Sequence, residues 1–201
     1  MAPLETPESL ESFLGRLADG SPTPGGGAAV AMTAAAAAAL VAMVTRVTLA
    51  RAADGARLVE IARAADRCRV SALAVMDEDA KAYGAVVEAL KATGGRVDSA
   101  VVAALIRATT TPLDVARASR AALDLAADVA PVVRPATRSD LCVAITLAAA
   151  ALAGSVRTAR ENLVHIVDAT FVEAVDRELA ELVAGGAQAQ DRARVALGDA
   201  S

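Results

Sequence analysis

Apolar residues recur along most of this chain with a period of about 3.6, the spacing of one face of an α-helix. No stretch alternates β-branched or aromatic residues with polar ones, as a half-buried strand would. The pattern therefore predicts an all-α protein, a bundle of five to six long, alanine-rich helices. The stripe is clearest between residues 56 and 93, where it comprises Ile61, Ala65, Cys68, Ala72, Met76, Tyr83, Val86 and Leu90.

Capping residues and prolines give the expected limits of the helices. Thr6 as N-cap and Pro7 at the first helical position begin the first helix, and Gly20 ends it. The fourth helix is expected to kink or break at residues 109–112, because Pro112 removes an internal hydrogen bond. Ser139 is the expected N-cap of the fifth helix. The predicted helices cover about residues 7–19, 27–53, 56–93, 98–129, 139 onwards and 170–183, with a loop at 130–138.

The chain is expected to form one domain, since it shows neither an internal repeat nor a linker. The last predicted helix ends before Gly185-Gly186, and the residues beyond are rich in alanine, glutamine and arginine. The single domain is therefore expected to cover residues 1–201, with a core at about residues 6–183 and a polar C-terminal tail.

Composition excludes some functions. Roughly a quarter of the residues are alanine and 1% are aromatic, so the helices approach closely but bury little area each. A second copy would supply further apolar burial, which favours a homodimer. The net charge of −4, with both signs interspersed, lacks the basic surface that nucleic-acid binding needs. Cys68 and Cys142 have no metal-ligand spacing and indicate small buried residues in a reducing compartment.

One long uncharged segment raises the question of a membrane span. Residues 20–45 carry no charge and are long enough to cross a bilayer. Alanine and glycine dominate this segment, however, and no aromatic belt flanks it. The acidic N-terminus also lacks the basic region of a signal peptide. We expect a soluble, cytoplasmic protein in which this helix is buried on most sides.

The densest turn signal in the first half of the chain is Gly20-Ser-Pro-Thr-Pro-Gly-Gly-Gly27. Pro22 and Pro24 fix two φ angles and remove two backbone donors. The glycines that follow permit close approach of a ligand or of another backbone. A helix that begins there has free N–H groups, which can hold an anion or a polar ring edge. From the spacing alone, a rigid connection between two helices is the simpler interpretation.

Asp79 interrupts the apolar stripe of the third helix, between Met76 and Tyr83. Its neighbours Asp77 and Glu78 point away from that stripe. A carboxylate on an apolar face is costly unless it is paired, protonated or exposed to a ligand cavity. Two interpretations stay open: a functional carboxylate in a cavity, or an aspartate paired with an arginine of another helix.

The fifth predicted helix carries a second candidate carboxylate, Asp140, in its first turn. Its stripe of small residues is extended by the polar residues Thr158, Asn162 and His165. At ~1.5 Å per residue, Asp140 lies roughly 33 Å from Asn162 along this helix. Either the two residues serve opposite ends of the bundle, or a second subunit brings them together.

Taken in order, these motifs carry a resemblance to a known family: Ser21-Pro-Thr-Pro-Gly-Gly-Gly27, Asp77-Glu-Asp-Ala-Lys-Ala-Tyr83, Thr111-Pro112-Leu113 and Ser139-Asp140-Leu141. The chain resembles the cyclodeaminase/cyclohydrolase family over about residues 6–180. That family includes the cyclodeaminase domain of formiminotransferase-cyclodeaminase and stand-alone methenyltetrahydrofolate cyclohydrolases. The resemblance implies an all-helical, dimeric enzyme that acts on a tetrahydrofolate one-carbon adduct, without a metal or a permanently bound cofactor.

Both reactions of such a family need a carboxyl that moves a proton, and Asp79 is the first candidate for it. Asp140 is the second catalytic candidate, as an acceptor for the amino-pyrimidine edge of a pterin. The single histidine, His165, is interpreted as a packing or capping residue. The expected substrate-binding residues are Pro24, Gly25, Gly26, Gly27, Tyr83, Arg138, Ser139 and Asn162. The cations available for a folate tail, each of which also fits an ordinary surface charge, are Arg134, Arg138, Arg157 and Arg160.

Three functions stay open at this point. The first is a folate one-carbon enzyme, either a cyclohydrolase or a cyclodeaminase. The second is a catalytically inactive folate-binding relative, because residues 133–138 lack the family's asparagine and Thr158 replaces the first of two later asparagines. The third is a structural helical dimer.

Overall fold

The computed structural model describes residues 9–52 and 55–198, and this part of the chain contains six α-helices and no strand. The all-α prediction is therefore confirmed. Two one-turn 3-10 helices, Ala130–Val132 and Pro135–Thr137, occupy the connection expected as a loop. The helices are α1 Leu10–Ala18, α2 Gly26–Leu49, α3 Ala56–Ala92, α4 Ser99–Val129, α5 Arg138–Leu163 and α6 Ala169–Leu197.

Helix α2 is the centre of the bundle and packs against α3, α4 and α5. Its buried side chains are small, so the neighbouring helices lie close to it; Ala31, Ala37 and Val41 are fully buried. The start of α2 lies beside the end of α5, since a Cβ on Gly154 would meet Val30. Helices α2 and α5 therefore run antiparallel, which places Gly27 and Asn162 at the same end of the bundle.

Two predicted helix starts differ from the structure. Helix α1 begins at Leu10, where the Ser9 hydroxyl accepts from the backbone N–H of Ser12 at 3.1 Å. The expected cap at Thr6 and Pro7 lies outside the described residues. Helix α5 begins at Arg138, so Ser139 is inside its first turn and is not the N-cap.

Helix α4 continues through Pro112 from Ser99 to Val129, so of the predicted kink or break at residues 109–112 the break is wrong. Threonine hydroxyls bond to backbone carbonyls in the turns that precede the proline. Thr109 donates to the carbonyl of Leu105 at 2.9 Å and Thr111 to that of Arg107 at 3.1 Å. Pro112 itself is fully buried, and the packing around it holds the helix together.

The prediction that the last helix ends at Val183 is also wrong, because α6 runs on to Leu197. The glycine pair that suggested an end serves helix packing. A Cβ on Gly185 would meet the guanidinium of Arg120 on α4, and a Cβ on Gly186 would meet Leu152 on α5. The predicted polar tail is thus the second half of an amphipathic helix with Ala189, Ala193 and Leu197 buried.

Two segments, Gly26–Leu49 and Pro135–Leu163, are long and apolar enough to cross a membrane by length and composition. Core helices of soluble proteins pass the same test. In the most apolar stretch of each, 56% of the residues are buried in the first segment and 39% in the second. In the second segment, the exposed uncharged residues Val143, Thr146, Ala150 and Ala153 lie along one side of α5.

Candidate active site

A cavity of about 300 Å³ opens where α2 begins and α5 ends. Parts of the chain that are far apart in sequence form its wall: the glycine-rich turn, the second half of α3, the middle of α4 and the last turns of α5. Its lining residues are Pro22, Thr23, Gly25, Gly26, Gly27, Asp79, Ala82, Tyr83, Val86, Leu105, Ala108, Thr158, Asn162 and His165.

Asp79 reaches from α3 to the first turn of α2. The N-cap position of α2 is Gly25, which has no side chain to accept from the free N–H groups of that turn. The Asp79 carboxylate takes this role from the neighbouring helix and accepts from the backbone N–H of Ala28. A Cβ on Gly27 would overlap the same carboxylate. Glycine at position 27 is therefore what allows Asp79 to lie against the helix.

Burial raises the pKa of the Asp79 carboxyl above its ordinary value of 3.8, and the hydrogen bond from Ala28 opposes that shift. Within the described residues, no arginine or lysine forms an ion pair with Asp79. The arginine-paired interpretation therefore finds no support. A carboxyl with a raised pKa at a cavity wall is suited to giving and taking a proton.

Opposite Asp79, the cavity wall includes Asn162 near the end of α5. Its side-chain Nδ2 donates to the backbone carbonyl of Ala108 on α4 at 2.8 Å. The hydroxyl of Thr158, one turn earlier, donates to the carbonyl of Gly154 at 3.1 Å. The polar side of the cavity is thus built on helix surfaces, which hold its groups in fixed positions.

Tyr83 and His165 lie at the open side of the cavity. Tyr83 is 46% exposed, and His165 is also exposed. This exposure argues against a packing role for His165, whereas its backbone N–H donates to the carbonyl of Asn162 at 3.2 Å at the end of α5, as expected of a capping residue. The sequence contained the signal for its real position, since His165 continues the polar stripe of Thr158 and Asn162. The contributions of Leu105 and Ala108 had no such signal, because nothing marks them among the other apolar residues of α4.

The structure brings together six of the predicted site residues and separates the other four. Those that line the cavity are Gly25, Gly26, Gly27, Asp79, Tyr83 and Asn162. Pro24 is buried next to the cavity and lines a different depression, together with Phe13 and Met76. Residues 138–140 lie in the first turn of α5, at the opposite end of the bundle.

None of the four arginines expected near a folate tail lines this cavity. Arg160 pairs with Asp176 at 3.1 Å, on the outer side of α5. Arg134 lines a second cavity of about 670 Å³ at the other end of the bundle. That second cavity is bounded by Thr48, Arg51, Ala52, Arg57, Leu58, Ile61, Asp128, Val132, Arg134 and Pro135.

The described residues do not form a metal site. Among residues 9–52 and 55–198, no three histidine, cysteine, aspartate or glutamate side chains come together as a metal site would require. The titratable side chains that line the first cavity are Asp79, Tyr83 and His165.

In the described part of the chain, the half-buried Asp79 carboxylate lies behind a glycine-rich turn in an all-helical bundle, and comparisons with known proteins give the family. Residues 9–181 match the family described as formiminotransferase-cyclodeaminase, and the chain belongs to that family. It is 32% identical to a methenyltetrahydrofolate cyclohydrolase of Methylorubrum extorquens, over 92% of this chain and 93% of that protein. Its fold matches the crystal structure of formiminotetrahydrofolate cyclodeaminase from Thermotoga maritima. That match has a TM-score of 0.89 at 26% identity, over 96% of this chain and 97% of the other.

Proposed function

We propose that this protein is a methenyltetrahydrofolate cyclohydrolase in which Asp79 is the general acid–base. The observation that carries the proposal is the half-buried Asp79 carboxyl, which lies against the first turn of α2 and faces a cavity of about 300 Å³. The 32% identity to a cyclohydrolase along nearly the whole of both chains supports this choice of reaction.

The chemistry of the reaction matches this site. Water adds to the cationic methenyl carbon and loses a proton, and the ring then opens to a formamide. The Asp79 carboxylate is suited to take that proton, and its negative charge offsets the positive charge of the substrate. A partly buried site strengthens both effects, because less water screens the charges.

Cyclodeamination is the second candidate, favoured by the fold match to a formiminotetrahydrofolate cyclodeaminase. In that reaction the arylamine nitrogen attacks the formimino carbon and ammonia leaves. The leaving nitrogen needs a proton donor, and a carboxyl with a raised pKa serves that role. The same residue therefore supports either reaction, and only the substrate distinguishes them.

The cavity suits the pterin end of the substrate. Backbone N–H groups of the glycine-rich turn and the amide of Asn162 can meet the polar ring edge, while Val86 and Leu105 contact its faces. The benzoylglutamate tail then leaves past Tyr83 and His165 at the open side. In this proposal no cofactor is permanently bound, and the folate adduct is the substrate.

We also propose that the protein is a cytoplasmic homodimer. Helix α5 exposes a face without charge, formed by Val143, Thr146, Ala150 and Ala153. A twofold axis across that face would place the start of α5 in one subunit beside its end in the other. Asp140, Ser139 and Arg138 would then approach the Asp79 cavity of the partner, although they are remote from their own.

Turnover measurements test the proposal. The protein should accelerate the loss of methenyltetrahydrofolate absorbance, and ammonia should not appear with the formimino adduct. Ammonia release instead would identify the cyclodeaminase. If neither substrate turns over, the protein is an inactive relative. Calorimetry with a stable folate then separates a folate-binding protein from a purely structural dimer.

A further inference from the structure

Pro112 removes one backbone hydrogen bond from α4. In an α-helix the N–H of residue 112 would donate to the carbonyl of Ala108, and proline has no N–H. The carbonyls of Leu105 and Arg107 nearby receive additional bonds from threonines of the same helix. The carbonyl of Ala108 instead accepts from Asn162 of α5, 54 positions away, at 2.8 Å.

This bond determines which way the amide of Asn162 faces. A carbonyl can only accept, so Nδ2 must point to Ala108; the reversed amide would set two oxygens against each other. The bond uses one of the two N–H groups of Nδ2 and holds the amide in one orientation, and Oδ1 is the only acceptor that this side chain can offer a ligand. Ala108 and Asn162 both line the cavity.

We propose that Pro112 is a positioning residue. Because Pro112 has no backbone N–H, the Ala108 carbonyl is free to accept from Asn162. That bond fixes the Asn162 amide, so that Oδ1 is positioned as an acceptor for an N–H group of the bound ligand. The identity of the ligand that supplies this N–H rests on the proposed function. The hydrogen bond between Asn162 and Ala108 is independent of that function, so the positioning role and the folate activity can be tested separately.

Pro112→Ala restores the backbone donor, which competes with Asn162 for the Ala108 carbonyl. The helix should be at least as stable, because alanine favours it. With methenyltetrahydrofolate we expect KM to rise roughly tenfold, as for loss of one hydrogen bond, and kcat to stay within about twofold. In an Asn162→Ala background, Pro112→Ala should change KM by less than about twofold. If Pro112→Ala raises KM by the same factor with and without Asn162, the proposal is wrong.

Two measurements keep the test independent of turnover. The side-chain NH₂ resonances of Asn162, assigned by their loss in Asn162→Ala, should shift and exchange faster with water in Pro112→Ala. In addition, Asn162→Asp places a carboxylate against the Ala108 carbonyl. It should lower the unfolding midpoint of the wild-type protein more than that of Pro112→Ala, where the carbonyl has its own donor. Unchanged NH₂ resonances, or equal losses from Asn162→Asp in both backgrounds, would contradict the positioning role whether or not the protein acts on folates.

Discussion

At one end of the bundle, Asp79 reaches across from α3 to the first turn of α2; at the other, Asp140 lies in the first turn of its own helix. Both carboxylates stand near a helix N-terminus, where negative charge is favourable. Their surroundings differ. Burial raises the pKa of Asp79, which faces a cavity of about 300 Å³. The larger cavity, of about 670 Å³, is lined by arginines and does not include Asp140.

The difference shows that the pKa of a carboxylate near a helix start depends on which helix carries it. Asp140 belongs to the helix whose terminus it faces, and both carboxylates are partly exposed. Asp79 comes from a second helix, so packing between α2 and α3 removes much of its water. Only the second arrangement combines desolvation with access to a cavity.

Replacing the Asp79 carboxylate should have the largest effect. We expect Asp79→Asn to lower kcat for methenyltetrahydrofolate about 10³-fold, because general acid–base groups contribute 10²- to 10⁴-fold. Folding should survive, since an asparagine oxygen can accept from Ala28. The matched control is Asp77→Asn, two residues earlier and exposed, which should keep its activity. Equal activity of wild type and Asp79→Asn would remove Asp79 from the mechanism.

Gly27→Ala tests the positioning of Asp79 without touching its charge. The added Cβ overlaps the carboxylate, so the carboxylate must move. We expect turnover to fall about 10²-fold, the cost of a misplacement near 1 Å. Gly84→Ala on α3 has open space around its Cβ and should leave kcat within about twofold. If the two variants behave alike, the contact between Gly27 and Asp79 has no catalytic role.

The opposite end of the bundle is tested by Asp140→Asn. If the partner's α5 completes the site, turnover should fall about tenfold, as for one lost hydrogen bond to the ligand. Mixing this variant with Asp79→Asn should then restore part of the activity, since one of the two sites in a mixed dimer keeps both carboxylates. If the activity of Asp140→Asn stays within about twofold of the wild-type activity and mixing gives no complementation, Asp140 takes no part in the partner's site.

We expect the smallest effect in the pH dependence of the free energy of unfolding. The pKa of Asp79 is raised in the folded state, so the folded protein binds more protons than the unfolded chain above pH ~3.8. Relative to Asp79→Asn, wild-type stability should therefore be highest at low pH and fall as pH rises through the folded pKa. Glu178, whose pKa Arg117 lowers, works in the opposite direction but equally in both proteins. Chemical denaturation of the two proteins at several pH values measures the difference, and a parallel dependence would contradict the raised pKa.

The sequence predicted the parts of the fold that depend on local periodicity. The limits of α3, for example, follow from its stripe of apolar residues to within one residue. Asp79 was found in the same way, as a charge on an apolar stripe. Gly27 was recognised as a close-approach position, although which group approaches it depends on how α2 and α3 pack.

The failures have a common physical cause, which is that tertiary contacts overrode a local signal. Pro112 suggested a break, yet burial holds α4 continuous around it. Gly185-Gly186 suggested an end, yet the glycines make room for Arg120 and Leu152. In the candidate site, the distance between Asp140 and Asn162 could be calculated from the helix rise. The part of the cavity wall that α4 supplies could not be predicted, because it depends on how the helices pack.

A crystal structure with a stable tetrahydrofolate analogue tests the central claim most directly, because it shows which end of the bundle binds the substrate. We expect the pterin ring in the cavity between the glycine-rich turn and Asn162, with an Asp79 oxygen within hydrogen-bonding reach of the position of the attacking water. A ligand found instead in the larger cavity beside Arg57 and Arg134, with Asp79 untouched, would contradict it.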